Sequence, residues 1–250
     1  MGEEREAEAA KDAGAAARRH GHADHEHNPP RRVEPVFERV QRIVYAVGIL
    51  FPVLAFGVGR AWGPPVKDDA AAQIAYSAAH PALHVFEVVV FPLVCVLSLL
   101  GVIGLTRLAI HRSPWWAATG GVLALAGWGT LPIWAGQDNL TWLMGRTGAT
   151  SPQMVELWNQ FNTSGTGTYL YIFILGHLFG PLLLGVALVR ARVVPTWVPI
   201  AVAVSIPLHV LAFVTGASYV DPIAYALLAA ALVPAAAAVL RPSRPTPAPA

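Results

Sequence analysis

Charge is what this chain has least of. Asp, Glu, Lys and Arg make up 13% of its 250 residues, against about 25% in a typical soluble domain. The deficit is uneven, because most charges fall in the first 42 residues or in short loops. Cysteine is nearly absent as well. Cys95 is the only one, which excludes an intrachain disulfide and a thiolate metal cluster. Several signatures of soluble chemistry are missing: a P-loop, a dinucleotide-binding glycine pattern after a strand, GxSxG, HExxH and CxxCH. No segment interleaves basic and aromatic residues as a nucleic-acid surface would, so nucleic acid is not an expected partner.

What fills the chain instead is apolar. Hydrophobic residues account for 55% of it, and the mean hydropathy is +0.51. Six apolar runs follow one another at about 41–59, 82–106, 115–136, 169–189, 195–216 and 222–240. A run of about 20 predominantly apolar residues is long enough to cross a bilayer as a helix. The expected fold is therefore an all-α integral membrane bundle of six transmembrane helices over residues 41–240, with the lipid bilayer as its first partner. Every run contains proline (Pro52, Pro92, Pro132, Pro181, Pro199 and Pro207, Pro222 and Pro234), and proline removes a backbone donor and kinks helices. Gly120, Gly121 and Gly127, and the GxxxG pair Gly176 and Gly180, mark faces where helices can approach closely.

Lys and Arg alternate along the chain. Arg31, Arg32, Arg39 and Arg42 precede the first run; Arg107 and Arg112 follow the second, Arg190 and Arg192 the fourth, Arg241 and Arg244 the last. The opposite loops hold only Arg60, Lys67 and Arg146. By the positive-inside rule both termini are cytoplasmic. The excess of Arg over Lys and the abundance of Ala suggest a GC-rich bacterial genome, hence the plasma (inner) membrane. Trp115, Trp116 and Trp197 at the cytoplasmic ends, and Trp134 and Trp142 near the outer end of the third run, suit interfacial belts. Gly104, Pro114 and Trp116 recur at one constant offset as Gly185, Pro195 and Trp197, a faint internal repeat across two cytoplasmic turns.

Residues 1–40 read as a disordered, charged cytoplasmic tail without large apolar residues in its first half. Its His20, His22, His25 and His27 form a short His-rich tract of the kind that binds divalent metal, although a plain polar tail explains them as well. Residues 241–250 form a Pro-rich C-terminal tail. Two outer segments hold short helices: Asp69 is placed to cap one that ends before Pro81, and Ser151 with Pro152 opens another.

The residues that could carry chemistry gather in the outer half. His84 and Glu87 share a face near the start of the second run. His177 lies about two turns, roughly 12 Å at 1.5 Å per residue, into the fourth run, and His209 about two turns from the outer end of the fifth. Asp138 and Asn139 end the third run. Asp221, beside Pro222, reads as a helix N-cap. If their helices are neighbours, His84, Glu87, His177 and His209 converge. Three imidazoles and a carboxylate suit Zn²⁺, Cu²⁺ or iron, and two imidazoles from different helices suit axial ligation of haem b. Interhelical hydrogen bonding is the plainer use of the same residues.

The run GPLLLGVALVRARVVPTW resembles the span-turn-span signature of many bacterial multi-pass integral membrane proteins: a Gly/Leu-rich helix, an Arg, then V-P-x-W opening the next helix. The resemblance covers about residues 180–216 and implies architecture only, with no activity and no site residues. Three functions remain open. The first, favoured because nothing in the sequence requires chemistry, is a structural or accessory protein serving a membrane-protein partner or a homo-oligomer. The second is a membrane-embedded haem or metal protein using His84, His177 and His209. The third is a small-solute or proton-coupled transporter using Glu87, His177 and His209.

Overall fold

Away from water every backbone N–H and C=O must be satisfied internally, which a helix achieves within a single segment. The computed structural model describes residues 36–63, 69–147 and 151–241, and among them all regular structure is helical. In chain order the helices are α1 (Val36–Trp62), α2 (Ala70–Ala79), α3 (Pro81–Ala109), α4 (Pro114–Gly129), α5 (Leu131–Arg146), α6 (Pro152–Thr163), α7 (Thr166–Arg190), α8 (Trp197–Thr215) and α9 (Val220–Leu240). Four helical stretches among the described residues are long and apolar enough to cross a membrane: Val36–Trp62, Pro81–Ala109, Thr168–Arg190 and Val220–Leu240. Their outward faces are bare and apolar, with Val85, Val89 and Val96 all more than half exposed. Apolar surface of this kind is what a hydrocarbon environment covers.

The other two expected spans differ from this pattern. The fifth, 195–216, carries a shorter apolar stretch, Trp197–Ala212. The third, 115–136, is two helices rather than one kinked helix. α4 and α5 are 16 residues each, about 24 Å at 1.5 Å per residue. Pro132 has no N–H to offer the Trp128 carbonyl, and its ring crowds the preceding turn. The chain tightens there instead: the Thr130 N–H bonds to the Gly127 carbonyl at 3.1 Å, and the Thr130 hydroxyl donates to the same oxygen at 2.7 Å. Pro52, Pro92, Pro181, Pro207 and Pro234, in contrast, lie inside continuous helices. α1 begins at Val36, so residues 36–40, expected in the tail, are helical. The rest of that tail with its histidines, and residues 242–250, lie outside the described residues.

α1 packs on α3 and α9, α9 on α8, and α4 along α7. Two of these interfaces are backbone against backbone. A Cβ on Gly101 would lie 2.2 Å from the Gly48 carbonyl oxygen, and one on Gly176 would lie 2.3 Å from the Leu123 carbonyl oxygen. The GxxxG pair is thus used as expected, against Ala124 and Gly127 of α4. Leu184, Ala187 and Leu188 of α7 and Val198 of α8 are almost fully buried in the core.

At one end of the bundle the α3–α4 and α7–α8 turns meet, where Arg112 Nη1 donates to the Ala191 carbonyl at 3.1 Å. The α7–α8 turn closes with the Val193 N–H on the Leu188 carbonyl at 2.9 Å and Arg192 at φ 58°, the left-handed closure of a Schellman motif. At the other end lie the two short helices. Asp69 caps α2 through the Ala72 N–H at 2.8 Å, and Ser151 caps α6, with Pro152 in its first turn. The Tyr76 hydroxyl donates to the Trp62 carbonyl at 2.8 Å, and Trp158 Nε1 donates to Thr141 Oγ1 at 3.1 Å. α2 and α6 are thereby tied to the ends of the longer helices.

Candidate functional site

At the end where α1 finishes, the helices leave a cavity of about 340 Å³. α1 contributes Arg60, α3 Glu87, α5 Asp138 and Gln137, α8 His209, and α2 covers one side with Gln73. The remaining wall is apolar, part aliphatic and part aromatic, its rings being Phe56, Phe86, Phe91, Trp134, Phe173 and Tyr225. Trp134, Gln137 and Asp138 recur at helical spacing, so α5 presents them on one face. α5, which starts anew after Thr130, brings these three residues to the cavity.

Behind the wall lies an ion-paired triad. Asp221, 1% exposed, receives the Arg60 Nε–H at 2.6 Å. Its other oxygen accepts a short hydrogen bond from His209 Nδ1. An ionised carboxylate only accepts, so Nδ1 carries the hydrogen. A carboxylate held this way fixes the tautomer and orientation of an imidazole. Asp221 is not the N-cap expected of it: Tyr219 holds that position, and α9 has no side-chain cap. Burial between Arg60 and His209, partners from two other helices, is its use instead.

His177 sits one layer deeper. Its ring stacks on Phe173 with centroids 5.0 Å apart, meets Trp128 edge-on at 4.8 Å and meets His209 edge-on at 5.4 Å. Its Nδ1 is buried without a hydrogen-bond partner among the described residues, as are Trp134 Nε1 and Gln137 Oε1. A second cavity of about 20 Å³ lies against His177, Ser205, His209 and Tyr225, room for about one water.

The four expected site residues are only partly gathered. His177 and His209 touch, and Glu87 shares the cavity wall with His209. His84 belongs elsewhere: it stacks on Trp142 at 3.6 Å, and Arg146 lies over that same indole at 4.9 Å. Among the described residues no group of three or more His, Cys, Asp or Glu side chains is arranged to hold a metal ion. Axial haem ligation would place a macrocycle between His177 and His209, whereas these two rings are in direct edge-to-face contact. His84, Glu87, His177 and His209 thus do not form one ligand cluster among the described residues.

Sequence reasoning passed over Arg60, Gln137 and Trp134. Arg60 reads as an ordinary loop charge and Trp134 as a belt residue. Only the 3, 4 spacing of Trp134, Gln137 and Asp138 could have marked a polar-aromatic face at the end of the third run. Below the cavity the hydroxyls turn inward on their own helices: Ser98 donates to the Val94 carbonyl at 2.7 Å and Thr106 to the Val102 carbonyl at 2.8 Å. Compared with protein-family models, with curated proteins and with solved structures, the chain gives no match.

Proposed function

We propose that this chain is a membrane-embedded binding protein for a small polar molecule, with the cavity beside Arg60 as its site. The observation that carries the reading is that cavity: about 340 Å³, within the 300–1,000 Å³ usual for small-molecule sites, with Glu87 and Asp138 among aromatic and aliphatic wall residues. A purely structural bundle gains nothing from ionisable groups there, since a poorly solvated carboxylate without a partner is costly. This favours binding over the accessory role that composition alone suggests. Asp221 holds the orientation of His209 by a short hydrogen bond to Nδ1, so the imidazole stands fixed at the edge of the cavity. A through-membrane carrier finds less support, because the hydroxyls of the opposite half are spent on their own backbone. With six crossings and cytoplasmic termini, the cavity opens to the outside.

The test is thiol labelling of detergent-purified protein in a Cys95→Ala background, with a hydrophilic maleimide. Gln137→Cys should react at a rate near that of Asp69→Cys, an exposed loop-end position, while Val102→Cys in the core should stay unlabelled. If the Gln137→Cys thiol is as inert as the core thiol, the cavity is not an aqueous site and the reading fails.

A further inference from the structure

We propose that the cavity takes a small organic cation, an alkylammonium or tetraalkylammonium group. This rests on the binding reading above and names the chemistry of its ligand.

The first observation is a pair of carboxyl groups, Glu87 and Asp138, on the cavity wall. Three carboxyl groups, Glu87, Asp138 and Asp221, stand in or directly behind the wall, together with one guanidinium, Arg60, and one imidazole, His209. Arg60 and His209 both bond Asp221. Arg146 lies over the Trp142 indole. No salt bridge or hydrogen bond joins Glu87 or Asp138 to a basic side chain among the described residues. Glu87 and Asp138 are therefore carboxyl groups that ionise at a cost in these surroundings, and a cation beside them lowers that cost. A bound anion would raise it.

The second observation is the rest of the wall. Six aromatic rings from five helices face one cavity. Aromatic faces carry negative quadrupole potential, and rings around a desolvated cation attract it strongly, as in sites for quaternary ammonium groups. Gln137 adds Oε1, a buried acceptor without a hydrogen-bond donor among the described residues, of the sort an ammonium N–H satisfies. Carboxylates and aromatic faces together select an organic cation over a hydrated metal ion, which prefers a shell of several oxygens. No such ligand group is gathered among the described residues.

The experiment uses the full chain in detergent and follows its melting midpoint against tetramethylammonium chloride and butylammonium chloride. Butanol, sodium butyrate and equimolar sodium chloride are the controls. The expected result is a saturable rise with both ammonium ions and none with the controls. In Glu87→Gln and Asp138→Asn the apparent affinity should fall roughly 10- to 100-fold, the loss of one charge-assisted contact. Should either variant fail to fold, the contrast between butylammonium and butanol in the parent protein still decides. No saturable ammonium effect overturns the inference. A saturable butanol or butyrate effect without an ammonium effect overturns it while leaving the binding reading standing. An inert Gln137→Cys thiol removes that reading as well.

Discussion

Asp221 shows how much one buried carboxylate can decide. It joins α1 to α9 through Arg60 and α8 to α9 through His209, and it is 1% exposed. Removing its charge strands two partners at once. Breaking a buried pair costs about 3–5 kcal/mol, and Arg60, at 27% exposed, recovers part of this by turning to water. Asp221→Asn should therefore lower stability by roughly 2–3 kcal/mol, seen as a lower melting midpoint in detergent. The double variant Arg60→Met/Asp221→Leu should melt above Asp221→Leu alone, because no charge is left behind. An Asp221→Asn protein that melts with the parent would show that the triad contributes nothing to the fold. None of this was readable from the local sequence. An Asp beside a Pro at the start of an apolar run has the signature of a cap, and its partner Arg60 lies 161 positions away. Ser205, an i, i+4 neighbour of His209, bonds the Val202 carbonyl instead.

The long helices meet through missing side chains. Where Gly101 crosses Gly48, and Gly176 crosses Gly127, the backbones stand too close for any Cβ. In an apolar solvent, where burial itself drives little, such close packing is what holds helices together. Gly101→Leu must push α1 and α3 apart, and overpacking of this kind costs about 1–3 kcal/mol or more; the variant should melt earlier or lose its monodisperse elution. Gly136 is the contrast. It lies inside α5 with nothing within 4 Å of its would-be Cβ. Gly136→Ala should stabilise the protein by up to about 1 kcal/mol, the propensity gain alone. Equal losses from both substitutions would rule out this account of the interfaces. The Gly176–Gly180 face was legible because both glycines share one helix at the right spacing. The Gly48–Gly101 crossing was not, because neither glycine has a second glycine four residues away in its own helix.

At the scale of the whole molecule, two ends are distinguished. The α3–α4 and α7–α8 turns share one end through Arg112 and Ala191. Arg60, Asp221 and His209 share the other. Helix directions alternate between these ends, and α4 with α5 runs from one toward the other. Reporter fusions test the resulting crossing pattern. Fusions to the N-terminus and after Arg241 should report the cytoplasm, and a fusion after Arg146 the opposite side. If the Arg146 fusion also reports the cytoplasm, α4 and α5 do not cross together and the six-crossing arrangement fails.

Composition and periodicity by themselves determined that the described chain is helical, where its long apolar helices run, and how α2 and α6 begin. Each of these depends on neighbours within a turn or two: apolar length, a capping side chain, a proline at the first helical position. Tertiary structure alone decided what the polar residues are for. His177 meets His209 while His84 stacks on Trp142, and Glu87 and Asp138 reach one cavity from two helices. The reason is physical. A helix fixes which residues share its face, but which faces meet is set by backbone crossings such as Gly48 with Gly101 and by ion pairs between distant segments. Neither leaves a trace in any stretch of sequence short enough to read.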